Sequence, residues 1–264
     1  MRTFSHPGYK RFLLSVGCLL SIHFTALFFL TLFRLVFFFS ANYDFPDQEH
    51  VGFMSIWPAF IRGVWFDNVI ACYILLIPLV AVSISALFNY YGKILWNVTC
   101  IFFSLFYGIV LLVTAANIPY FQYFFKIINS SVFNWFGYMN TTAGMVFGET
   151  SYYPPLIGFL LTLVLFIWLM RRLIRHFQCL LNTKNPSVFW LDRIYIFLTA
   201  GICIGLCLFG IRGRTGYNPI KVSAAYYCTD PFLNQLGISP VFNLLSSTLD
   251  DSRKENRYLH LMAE

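Results

Sequence analysis

Five stretches of this chain, roughly 12–39, 66–88, 94–116, 153–174 and 189–211, are apolar over about the twenty residues that a helix needs to cross a bilayer. Hydrocarbon offers no water to an open backbone, so each stretch must close its hydrogen bonds internally as a helix. The expected fold class is therefore all-α, a polytopic membrane protein with five transmembrane helices. Hydrophobic residues make up 58% of the 264 residues and charged ones 11%, where a soluble domain carries about a quarter charged. The 31 Phe, 16 Tyr and 6 Trp suit aromatic belts at the membrane interfaces. The first run is too long for a signal-peptide core, and "FFFSANYDF" offers no clear small-residue cleavage site, so it reads as a retained anchor.

Lysine and arginine near the span ends set the orientation. One side holds Arg2, Lys10, Arg11, Lys93, Arg171, Arg172, Arg175, Lys184 and Arg193. The other holds Arg62, Lys126, Arg212, Arg214 and Lys221. The imbalance places the N-terminus in the cytoplasm, and five spans then place the C-terminus outside. Residues 1–211 form the expected transmembrane domain, and 212–264 an extracytoplasmic linker. The net charge of +7 belongs to these juxtamembrane cations and not to a nucleic-acid surface.

The outer segments carry most of the polar residues. The first, 40–65, holds Asp44, Asp47 and Glu49 and ends in "RGVWFDN". Arg62 and Asp67 there form either a polar site or an interfacial anchor. Arg34 sits in the outer third of the first span, where an unpaired charge costs a few kcal/mol. It must reach the outer interface or pair, and Asp67 is the acid near its depth. In the second outer segment, 117–152, Phe121, Phe124, Phe125, Ile128 and Val132 recur at helical spacing. The spacing predicts one or two in-plane helices at the outer leaflet, serving as a belt or as the wall of a headgroup groove. The tail repeats one device, Asp230-Pro231 and Ser239-Pro240: a capping residue before a proline at the first helical position. Two such short helices cannot bury a core of their own, so the tail must lie on the membrane domain or on something else.

Catalytic chemistry is not legible. His6, His23, His50, His176 and His260 are scattered, and neither His50 near Glu49 nor His260 near Glu264 has enough local ligands for a metal. Cys203 and Cys207 share a helix face, but both lie in an apolar run and read as packing residues. Cys228 is followed by "TDP" and does not begin a sulfatase-type C-x-P-x-R motif. Asn129-Ser-Ser and Asn140-Thr-Thr match the glycosylation sequon, a weak three-residue signal. No catalytic or metal-ligating residue is assigned.

With "ANIPYFQYFFKIINSSVFNWF", the exit "GIRGR…NPI" and the linker "LGISPVFNLLSS" in view, the chain resembles the membrane half of lipoteichoic-acid-synthase-like phosphoglycerol transferases, of the Bacteroidetes type. The resemblance extends over essentially all 264 residues. It implies a bacterial inner-membrane protein that anchors an extracytoplasmic catalytic domain of the alkaline phosphatase superfamily and positions a membrane phospholipid for it. Manganese or another divalent metal is implied for that domain and no cofactor for this chain, which then represents an N-terminal part or a truncated member. Arg34, Arg62, Asp67, Lys126, Arg212 and Arg214 are the candidate lipid and headgroup contacts. The cationic strap "GIRGRTGYNPIK", 210–221, would either touch phosphates or act as a stop-transfer hinge. A non-catalytic membrane scaffold and a small channel or carrier subunit are the alternatives. The second would need polar path residues, of which His23, Thr31, Ser83, Ser85, Thr99 and Thr114 are few.

Overall fold

The computed structural model describes residues 6–41, 53–138, 144, 148, 150–181 and 190–253. Five helices are long and apolar enough to cross a membrane: α1 (Pro7–Ser40), α2 (Phe53–Leu87), α3 (Lys93–Phe124), α4 (Tyr153–Leu181) and α5 (Trp190–Arg212). Two short helices follow, α6 (Pro231–Leu236) and α7 (Pro240–Ser252). The protein is all-α and polytopic, with no strand among the described residues.

Three helices are longer than their apolar runs. α1, α2 and α3 have 34, 35 and 32 residues, which is roughly 50 Å at 1.5 Å per residue, whereas the hydrocarbon is about 30 Å thick. α2 begins at Phe53, well before the expected 66, because "SIWPAFIRGVW" carries Arg62 as its one charge and that charge has protein partners. α3 runs on over Pro119 to Phe124, beyond the expected 116. The outer segment 117–152 is thus divided differently from the expected in-plane helices. Its first turns continue α3, Phe125 adopts a left-handed conformation at φ 52, and Ser130–Tyr138 forms a 3-10 helix. α4 extends to Leu181, past the expected 174, carrying Arg171, Arg172 and Arg175 on its last turns.

Both proline-led helices are present. Asp230 caps α6 by accepting from the Leu233 N–H at 2.8 Å, as the sequence predicts. Ser239 departs from expectation: it makes no side-chain cap bond for α7 and is buried. The entry to α7 is held instead by a guanidinium that grips the preceding carbonyls, described below. Gly213, at φ 70, ends α5 in the left-handed conformation that only glycine adopts at no steric cost, and its N–H returns to the Phe209 carbonyl at 3.1 Å.

The chain divides into two compact units. The first comprises Met1–Phe29, Asn68–Ile109 and Thr162–Pro219. Within it His6 meets the buried Asp192 at 2.7 Å, His23 meets Asn68 at 3.0 Å, and Arg11 lies over the Tyr91 ring at 5.9 Å. Tyr107 packs between the Phe103 and Phe166 rings. The second comprises Leu30–Asp67, Val110–Leu161 and Ile220–Glu264, and it holds the candidate site. Asp44, Asp47, Glu49, His50, Asn140, Lys184, His260 and Glu264 lie outside the described residues, as does Arg2.

Candidate functional site

Arg34 is the centre of the second unit. It is 5% exposed, and Asp67, which faces it from α2, is 2% exposed. Arg34 Nη2 donates to Asp67 Oδ2 at 2.6 Å. Nη1 donates to the Leu236 carbonyl and, at 3.1 Å, to the Ile238 carbonyl. The pairing expected from depth is therefore present, and one guanidinium also holds the turn between α6 and α7. A buried charge pair is tolerable only when most of its remaining donors and acceptors are hydrogen-bonded. Here two carbonyls of the tail accept from Nη1, while the buried Nε has no partner among the described residues.

Gly63 makes the approach possible. A Cβ there would overlap the Arg34 guanidinium, and a bound guanidinium cannot swing aside without breaking its bonds. Gly63→Ala is expected to destabilise by about 1–3 kcal/mol, as overpacking does, read as a lower melting temperature in detergent. An unchanged melting temperature would mean that Arg34 is not held at this position.

Around this point the tail is tied to α1, α2 and α3 by amides, hydroxyls and rings. Arg62 Nε donates to the Ala224 carbonyl at 3.2 Å, and its guanidinium lies 4.4 Å from the centre of the Tyr227 ring. The Tyr227 hydroxyl donates to the Ser55 carbonyl at 2.6 Å. Burial, reinforced by Cys228 and opposed by Arg62, pushes that phenol up to about 12, so it remains a donor. Gln235 accepts from the Ile127 N–H at 3.0 Å, and Asn243 donates to the Ile128 carbonyl at 2.9 Å. Asn117 accepts from the Ile128 N–H at 3.0 Å, which turns the chain back after α3. Phe232 is 1% exposed, with the Phe37, Phe121 and Phe38 rings 5.8, 5.6 and 6.2 Å away. Phe66 packs on Phe242 at 4.8 Å. The crevice lined by Arg34, Phe37, Thr114, Asn117 and Pro240 has room for about one water molecule, which is too small for a phosphoglycerol headgroup.

The candidate residues thus separate into two kinds. Arg34, Asp67 and Arg62 come together as a clasp on the tail. Lys126, in the same unit, is exposed beside the exposed rings of Phe124 and Phe125. Arg212 and Arg214 are exposed in the first unit. Arg212 there donates to the carbonyls of Gly216 and, at 2.9 Å, Tyr217, folding the strap on itself. Sequence reasoning did not single out Asn117, Tyr227, Gln235, Asn243 or Gly63. Amides inside apolar segments were the available signal for Asn117, Gln235 and Asn243.

Among the described residues no three His, Cys, Asp or Glu side chains lie close enough to hold a metal ion. No family model, curated protein or solved structure matches this chain.

Proposed function

We propose that this chain anchors and orients the extracytoplasmic catalytic domain of a lipoteichoic-acid-synthase-like phosphoglycerol transferase in a bacterial inner membrane, with its N-terminus in the cytoplasm. The observation that carries the reading is the Arg34–Asp67 pair holding the Leu236 and Ile238 carbonyls. A chain needing only to stay in the membrane gains nothing from a buried ion pair. A chain that must fix the direction of its tail gains a rigid base. Lys126, Arg212 and Arg214 remain accessible to anionic headgroups, whereas Arg34 is committed to protein. The divalent metal of this reading belongs to the catalytic domain, and none of the described residues is assigned to it.

The test is release of diacylglycerol from fluorescent phosphatidylglycerol in proteoliposomes. The product of the native reading frame is expected to turn over with manganese, and residues 1–264 alone are expected not to. Turnover by residues 1–264, or none by the native product, overturns the proposal and leaves a scaffold or carrier role.

A further inference from the structure

Two buried thiols in the first unit face each other across α2 and α5. Cys72 is 6% exposed and Cys207 is 5% exposed, and both are free thiols in the structure. Cys207 Sγ lies 3.3 Å from the Cys72 carbonyl oxygen, and Cys72 Sγ lies 3.9 Å from Asn68 Oδ1 one turn earlier on α2. Gly210, three residues beyond Cys207, makes room for this. A Cβ there would run into Cys72 Sγ. Packing alone would be satisfied by alanine or valine at both positions, so the clash-free juxtaposition of two sulfurs is what requires explanation. Cys207 lies five residues before the end of α5 at Arg212, about 7–8 Å along the helix axis. In the orientation proposed above, on which this inference rests, that is the extracytoplasmic end, where disulfides form and persist.

We propose that Cys72 and Cys207 are a disulfide-forming pair that staples α2 to α5. The oxidant is the disulfide of an extracytoplasmic thiol oxidoreductase, acting before α5 has packed and buried the sulfurs. One cysteine, as thiolate, attacks a donor sulfur, forms a mixed disulfide and displaces the other donor sulfur as thiolate. The second cysteine then attacks the mixed disulfide at the protein sulfur. The products are the Cys72–Cys207 bond and the donor dithiol, which carries the two electrons and two protons removed from the pair.

The experiment is non-reducing peptide mapping of the full chain, expressed in a bacterial inner membrane and alkylated under denaturing conditions. The expected result is one linked peptide pair carrying Cys72 and Cys207, lighter by about two hydrogens than the free peptides. The link should be lost in Cys72→Ser and in Cys207→Ser and kept in Cys18→Ala. Reduction should lower the melting temperature of the wild type by about 5–10 °C, given the long loop closed, and leave Cys72→Ser unmoved. Alkylation of both cysteines in the wild type overturns the staple. A reporter active only in the cytoplasm, fused after Glu264, separates the causes. If it is silent and the thiols are free, the staple alone fails. If it is active and the thiols are free, both staple and orientation fail. A linked pair with an active reporter overturns the orientation and the extracytoplasmic oxidant with it, and leaves only the Cys72–Cys207 bond standing.

Discussion

Arg34→Met lowers the unfolding free energy of this protein by about 3–5 kcal/mol, the cost of leaving one member of a buried ion pair alone. The expected loss is among the largest of any single substitution here. Asp67 is buried and cannot recover water, and the Leu236 and Ile238 carbonyls lose their donor at the same time. Adding Asp67→Leu removes the stranded carboxylate and is expected to recover a large part of the loss, because an apolar pair of similar volume is often as stable as the ion pair it replaces. The measurement is a double-mutant cycle by thermal or SDS unfolding in micelles. Additive losses from the two single variants would show that the side chains do not meet.

Phe232→Ala is expected to cost about 3–5 kcal/mol, the usual range for truncating a fully buried aromatic side chain. The ring lies against Phe37, Phe38 and Phe121, so its loss opens a void that three rings pinned on helices α1 and α3 cannot close. Phe232→Leu keeps most of the apolar volume and should lose much less. The same unfolding measurement decides it. A loss below about 1 kcal/mol for the alanine variant would mean that the α6 ring is not seated among these helices.

The five membrane helices were legible because the cost of an unpaired backbone in hydrocarbon dictates long apolar runs. The Arg34–Asp67 pair was legible for a related reason: a charge at that depth needs a partner, and the sequence provides one acid there. Helix length was not legible. Apolar runs stop at Arg62 and Asn117, yet the helices continue through both, because Arg62 finds the Ala224 carbonyl and Asn117 the Ile128 N–H. Main-chain partners carry no sequence signal, since every residue has a carbonyl and every residue but proline an N–H. The same blindness applied to Arg212. A guanidinium in a cationic strap reads equally as a phosphate contact or as part of a hinge, and its two bonds to the carbonyls four and five residues on were not foreseen by either reading. The cap on α6 was readable from Asp230-Pro231. The matching sign at Ser239-Pro240 located a helix but not its means of support, which comes from Arg34 far away in sequence.

The tail from Ile220 to Arg253 is a seated part of the fold and not a loose hinge. Amide hydrogen exchange in lipid nanodiscs tests it most directly, on peptides covering residues 233–243. Within that stretch the N–H of Gly237 bonds the Leu233 carbonyl at 3.2 Å and that of Ile238 the Gln235 carbonyl at 3.0 Å. A short isolated helix of this length would not hold such bonds in water, so protection there reports docking on α1, α2 and α3. Exchange is expected to be slowed by at least about a hundredfold in the wild type and to be near-unprotected in Arg34→Met. Exchange of these amides at the unprotected rate in the wild type would contradict a seated tail.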